Sequence, residues 1–402
     1  MQLQLNCYFC RSTLFYMIRR IKIENYKSIV NQTLELGGFN VVIGANGCGK
    51  SNILEAIAMA ALSSSGALLP EMFESRGIRL SDSRFMRSAF EDMDNEYISL
   101  QVATTSGDES SYRIHYNTEL KPALWEDVVE EETKALITTI KDRGQKYKIK
   151  DLIAFLNNKD ERNAINVSLL EGENHQLVLT RSRVNGLRSF TIYSLEESAL
   201  RSLDSMPSTK LGRTGKGLLP YLKELSKTDE GRAVLKEVKE NMQVIDWFED
   251  MEMPEQGLAQ DSTLILKDRY VDETLSYFDQ RSANEAFLYL LFYFTLFISE
   301  ETPSFFAVDN IESSLNPKLC RLVISKLTVL AQKHNKQVIL TTHSPFVLDG
   351  LDELSDQKCL IVASRNSDGF TVTNRIAENK NKSIPLSEAW LKGYLGGLPN
   401  NF

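Results

Sequence analysis

Cysteine is scarce in this 402-residue chain: the five residues at positions 7, 10, 48, 320 and 359 form no disulfide framework. That excludes a disulfide-stapled fold and points to a reducing, cytoplasmic setting. Cys7 and Cys10 make a lone CxxC with no second pair nearby, which is thin support for a zinc or redox site. Excess positive charge is also missing. With 46 Lys and Arg against 54 Asp and Glu, the net charge is −8, so there is no global nucleic-acid footprint, although a local patch or a dimer groove stays open. No apolar run reaches the roughly 20 residues of a membrane span. The most apolar stretch, Ala286–Ile298, reads as a buried helix. No segment holds heptads over three to four repeats, which argues against a long coiled coil. The four histidines (115, 175, 334, 343) are far apart, and no acidic cluster resembles a nuclease centre. Internal repeats and low-complexity tracts are absent.

What remains is an ordinary globular composition, 42% hydrophobic and 25% charged, and one strong motif. Residues 44–51, Gly-Ala-Asn-Gly-Cys-Gly-Lys-Ser, are a complete GxxxxGKS phosphate-binding loop. The apolar run Phe39–Ile43 precedes it and a helical pattern, Asn52–Ala61, follows. Glycines 44, 47 and 49 let backbone N–H groups converge on phosphate oxygens. The helix directs its positive end at the same anion. Asn46 within the loop and Asn52 just after it are further candidate nucleotide-binding residues. Lys50 is placed to reach the β- and γ-phosphates, and Ser51 to offer a hydroxyl to Mg²⁺. The chain is therefore expected to bind ATP with Mg²⁺.

Residues 1–16 are apolar and patternless, whereas Met17 opens a natural first strand, so the first sixteen residues read as a non-native or disordered leader. A signal peptide is the rival reading, but a basic start and a small-residue cleavage site are lacking. Residues 17–120 read as strands around the phosphate loop and its helix. Residues 121–260 change character: an acidic block, Glu126–Glu132, precedes a basic one, Lys134–Lys150, in what reads as an inserted, mainly helical arm with some strands. The basic block is most simply a solvated helix face; contact with DNA or RNA is the alternative. Gly212–Gly217 has glycine and lysine without the GKS spacing and reads as a flexible loop. Residues 261–402 return to short buried strands, Phe305–Asp309 and Gln337–Thr342, flanking the helix Pro317–Asn335.

The strand Phe305-Phe-Ala-Val-Asp309 ends in an acid, the form of a Walker B element, and Asp309 is the candidate Mg²⁺ ligand beside Ser51. The run Asp309-Asn-Ile-Glu-Ser-Ser-Leu-Asn316 lines up with the Asp-Glu-Pro-Thr-Ser-Ala-Leu-Asp pattern of ATP-binding-cassette ATPases. Ile339-Leu-Thr-Thr-His343-Ser-Pro lines up with their switch histidine, and Arg281-Ser-Ala-Asn-Glu285 with their signature, both glycines being replaced. In its motif order and its opening Ile21-Lys-Ile-Glu-Asn-Tyr-Lys-Ser, the chain resembles the SMC/RecF-like branch of these ATPases. Within that branch it is similar to ATPase subunits of bacterial anti-phage systems of the Septu, PARIS and AbiL type. The Arg76-Gly-Ile-Arg79 stretch and the tail from Trp390 to Phe402 add to that likeness.

The resemblance implies an α/β fold: an ABC-ATPase head with a P-loop core sheet flanked by helices, an N-terminal β-subdomain and an inserted helical subdomain. It implies a homodimer, or a higher homo-oligomer, with ATP held between two heads. Ser282 and Asn284 of one head would face the loop of the other, and His343 would sense the γ-phosphate. Ser282 read alone is also a candidate helix N-cap. At the position of the family's catalytic glutamate stands Asn310. An amide cannot accept a proton from the attacking water, so slow hydrolysis is expected unless Glu312 substitutes. The first functional reading is a sensor and scaffold subunit of an anti-phage complex with a separate nuclease or toxin effector and no membrane. The alternative is a DNA-repair or chromosome-handling ATPase.

Overall fold

In the computed structural model, the described residues are 17–90, 95–119, 123–128, 165–169, 177–181, 184, 186–202, 210–253, 264–272, 277–279, 282–351, 353–376 and 384–398. The N-terminal leader, the CxxC pair and the basic block Lys134–Lys150 lie outside them.

Two sheets position the site. The first is antiparallel, in the order β2-β1-β4-β5-β6: β1 (Ile18–Tyr26), β2 (Ile29–Glu35), β4 (Ile98–Thr104), β5 (Glu109–Asn117) and β6 (Leu124–Asp127). The second has the order β16-β15-β3-β14-β13-β9. Its members are β3 (Phe39–Ile43), β9 (Ile192–Tyr193), β13 (Phe305–Val308), β14 (Gln337–Thr342), β15 (Lys358–Arg365) and β16 (Thr371–Ile376). All are parallel except the edge strand β16. Smaller sheets join β7 (Ile165–Leu169) to β8 (Leu177–Arg181), and β10 (Phe248–Glu252), β11 (Ile265–Asp268) and β12 (Tyr277–Asp279) in that order.

The central strands read as unbroken apolar runs because both of their faces are covered. Alternate residues go to opposite cores. Val41, Ile43, Phe306, Val308, Val338 and Leu340 face one cluster with the helix Glu285–Ile298. Val42, Phe305, Ala307 and Ile339 face the other, with the phosphate-loop helix Lys50–Ser64. That helix is buried almost all round, since it lies between the central sheet and the antiparallel one; Ile21, Ile23, Leu100 and Val102 close its far side. The two sheets are pinned together by Gln337, whose side chain accepts from Ile18 N (2.9 Å) and donates to Ile18 O (2.7 Å) and Gly37 O (2.9 Å).

The structure corrects two local readings. The acidic stretch after residue 121 does not begin as helix: Leu124–Asp127 is a strand paired with β5. Trp125 and Asp127 are buried while their neighbours are only partly covered, a period-2 pattern masked in sequence by the run of acids. Within the stretch read as an insertion, Ile192–Tyr193 closes the central sheet beside β13. The helices Leu218–Leu225 and Asp229–Met242 contribute to the same core as Glu285–Ile298. Gly212–Gly217 is an ordered turn: Gly212 N donates to Lys216 O (2.8 Å), and Ser194 N and Glu196 N donate to Arg213 O and Thr214 O (2.9 Å each).

Candidate functional site

The loop 44–51 leaves the end of β3 and is held tightly against β15 and β16. A Cβ on Gly44 would lie 2.1 Å from Ala363 O. Gly49 has φ +105, and a Cβ there would lie 2.1 Å from Thr371 Oγ1. Only glycine fits both the backbone and the space. Thr371 Oγ1 donates to Cys48 O (2.8 Å), Arg365 Nε to Gly47 O (2.9 Å), and Asn52 Nδ2 to Ser28 Oγ (2.7 Å). Asn46 and Gly47 stand exposed at the crown of the loop, while Gly44, Gly49 and Lys50 are buried.

Lys50 Nζ donates to Gly44 O (2.8 Å) and Ala45 O (3.0 Å) and lies 3.2 Å from His343 Nδ1. An ammonium has no lone pair, so a hydrogen bond between the two requires Nδ1 as the acceptor. Burial lowers the Lys50 pKa, an effect offset in part by Asp309 and Glu312. Burial, and then the charge of Lys50, lower the His343 pKa.

Asp309, at the end of β13, meets the loop directly. Its Oδ2 accepts from Ser51 Oγ (3.2 Å), its Oδ1 accepts from Thr341 Oγ1, and its backbone N donates to Tyr193 O (2.8 Å). A hydroxyl and a carboxylate oxygen this close are the hard donors that Mg²⁺ takes alongside phosphate and water, so the residues present fit the ion. Asn310 adopts φ +56, a left-handed conformation that asparagine tolerates better than most residues. Its N–H donates to Thr341 Oγ1 (2.9 Å). Glu312 Oε1 accepts from the backbone N of His343 (2.7 Å), while Oε2 is buried without a partner among the described residues. Glu312 also helps burial push the Cys320 thiol up to about 11.

Ser282 and Asn284 are both exposed, and the hydrogen bonds of the phosphate loop do not reach them within one protomer. The cap reading for Ser282 is corrected. The N-cap of Glu285–Ile298 is Asn284, whose Oδ1 accepts from Phe287 N (2.8 Å). Ala283 is buried, and its carbonyl accepts from the Arg201 guanidinium (2.8 Å).

Beside the loop opens a cleft of about 510 Å³ lined by Lys27, Ser28, Asn52, Arg79, Phe85, Arg87, Phe90 and Arg365, among others. On the helix beneath it sits Glu55, 1% exposed, which accepts from Lys27 Nζ (2.5 Å), Arg79 Nε (2.5 Å) and Tyr26 OH (3.3 Å). The sequence reading missed Thr341, Arg365, Thr371 and the role of Glu55. Thr341 lies inside the Ile339-Leu-Thr-Thr-His343 motif, and the Asn-Tyr-Lys-Ser28 and Arg76-Gly-Ile-Arg79 stretches carry the cleft residues Ser28 and Arg79. Glu55, Arg365 and Thr371 had no local signal. Among the described residues no group of three or more His, Cys, Asp or Glu could hold a metal ion, and no helix is long and apolar enough to cross a membrane.

No curated protein matches the chain. Among solved structures it is similar to an SMC head bound to the C-terminal winged-helix domain of ScpA, at 14% identity and a TM-score of 0.53, covering 91% of this chain and 99% of that one. It is also similar to the Smc head domain with an extended coiled coil bound to the C-terminal domain of ScpA, from Pyrococcus furiosus, at 12% identity and a TM-score of 0.50, covering 90% and 96%. These likenesses establish an SMC-head type of ATPase fold. The family model described as "AAA domain, putative AbiEii toxin, Type IV TA system" matches residues 39–349, most of the chain, and the chain belongs to that family.

Proposed function

We propose that this chain binds ATP and Mg²⁺ at Gly44–Ser51 and Asp309, and that two copies close on the nucleotide. In that state it serves as the sensor and scaffold subunit of a bacterial anti-phage complex with a separate effector. The observation that carries the nucleotide reading is the convergence of three distant segments: Ser51 on Asp309 at 3.2 Å and Lys50 on His343 at 3.2 Å. The cleft alongside offers cations and two aromatic rings next to the phosphates, suited to the nucleoside. A family description that names a toxin–antitoxin toxin agrees in direction with a defence role.

Lys50 and the loop amides bind the phosphates, and Ser51 and Asp309 hold Mg²⁺, which would neutralise phosphate charge. His343, neutral, offers a ring nitrogen to the γ-phosphate. Exposed Ser282 and Asn284 are presented to a second copy. Asn310 orients water but cannot take its proton. Glu312, beside His343, is the carboxylate left for that role. With Glu312 as the remaining base, and one of its oxygens already engaged by the His343 backbone N, hydrolysis is slow and the ATP-bound dimer long-lived.

Steady-state ATP hydrolysis by the purified chain, with Lys50→Ala as the blank, tests this directly. ATP bound with little turnover, and dimers that persist in ATP, support the reading. Failure to bind ATP removes it. Strong stimulation by DNA without a partner protein supports a DNA-handling ATPase instead.

A further inference from the structure

The tail after residue 384 belongs to no part of the site so far, yet it touches the phosphate loop. Gly397 O accepts from Ala45 N (3.2 Å). The same peptide unit offers its other end, Gly44 O, to Lys50 Nζ (2.8 Å). That plane is thus fixed from both sides, by the phosphate-seeking lysine and by the tail. Gly397 has φ +76, and a Cβ there would lie 2.4 Å from Val362 Cγ1. Val362 pairs with Ile43 at the root of the loop.

The other end of the tail is tied to the histidine loop. Ser387 N and Oγ donate to the Asp349 carboxylate (3.1 and 2.7 Å), and Asp349 caps the short helix Pro345–Leu348 that follows His343. Between the two ties, Trp390 is buried, and the turn closes on itself through Gly393 N to Trp390 O (2.8 Å) and Tyr394 N to Ala389 O (2.9 Å). Ala45, Gly397, Ser387 and Asp349 therefore form a bridge from the phosphate loop to the His343 loop within the protein itself.

We propose that the segment 386–397 is a positioning element for nucleotide binding, with Gly397 setting the orientation of the Gly44–Ala45 peptide and Ser387 coupling that orientation to the His343 loop. This rests on the reading that loop 44–51 holds a nucleoside triphosphate. Moving Gly397 frees a peptide plane that must otherwise be ordered when nucleotide binds, and that ordering then weighs against affinity.

The test is calorimetric titration of the full chain with ATPγS and Mg²⁺. Wild type, Lys50→Ala, Gly397→Ala and Ser387→Ala are compared, each with a melting curve without nucleotide. Gly397→Ala is expected to raise Kd roughly tenfold, the size of effect that one lost backbone hydrogen bond produces, at an unchanged number of sites per chain. A merely structural defect lowers the number of sites and leaves Kd alone. Ser387→Ala is expected to shift Kd the same way by a smaller factor, and it carries the test if Gly397→Ala does not fold. Unchanged Kd in a folded Gly397→Ala, or in Ser387→Ala should the glycine variant not fold, overturns the proposal. Wild type and Lys50→Ala both failing to bind overturns the nucleotide reading beneath it.

Discussion

Nζ of Lys50 lies 3.2 Å from Nδ1 of His343, across 293 residues of sequence. The cation that would meet the phosphates and the imidazole that would sense them are thus already partners. Burial and the Lys50 charge both hold the imidazole below its ordinary pKa of 6.5. His343 should titrate below that value by NMR, so that it is neutral throughout the physiological range. Lys50→Ala should move its midpoint upward by removing the like charge. A midpoint unmoved by that substitution would show that the two groups are not in contact.

Glu312 holds the backbone of His343 through one carboxylate oxygen and buries the other without a partner among the described residues. Glu312→Gln keeps an oxygen for His343 N but cannot take a proton. Nucleotide affinity should stay near wild type while turnover falls by roughly 10² or more. Equal turnover in single-turnover assays would take Glu312 out of the chemistry and leave it a loop anchor.

Gly49→Ala should abolish nucleotide binding. The backbone there is left-handed, and the new methyl would lie 2.1 Å from Thr371 Oγ1, whose hydroxyl also holds Cys48 O. The loop must shift to admit it, and a displacement of about 1 Å is enough to misplace the amides that meet phosphate. Titration with ATPγS reads the loss, and a melting curve shows whether the fold persists.

Glu55→Gln should destabilise the fold by roughly 3 kcal/mol, since it leaves the largely buried Lys27, and with it Arg79, without their shared counter-charge. The Arg79 end is solvent-facing, so most of the effect should come from the Lys27 side. Denaturant unfolding measures it. A change under 0.5 kcal/mol would mean that the network is solvated in solution.

Lys336 is 4% exposed and donates to Ser299 O, Thr302 O and Thr302 Oγ1, with burial pushing its pKa from 10.5 to about 8. The unfolded chain therefore binds more protons between pH 8 and 10.5, so stability gains a rising slope across that window. The cost of burying the charge is complete below pH 8. Relative to Lys336→Met, which lacks this titration, wild type should gain roughly 3 kcal/mol from pH 8 to 10.5. A flat difference between the two denaturation series would contradict the shifted pKa.

The parts of the site legible in the sequence are those whose chemistry is local. A glycine-rich loop between an apolar strand and a helix, an acid ending Phe305–Val308, and a histidine ending Gln337–Thr342 each declare themselves within a few residues. The central strands declare themselves too, because a sheet covered on both faces needs side chains apolar in every position. What only the tertiary structure decided is which distant segments become neighbours. Strand order sets β14 between β3 and β13. That order puts the Thr341 hydroxyl against Asp309 and the Asn310 amide, and His343 against Lys50. The same long-range packing seats Gly397 on Ala45 and draws Ile192–Tyr193 into the central sheet. Nothing in the residues around Gly397 or Thr341 announces these contacts. Hydrogen-bond partners hundreds of residues apart are selected by how the sheets and their covering helices close, whereas local pattern specifies only each segment's own conformation.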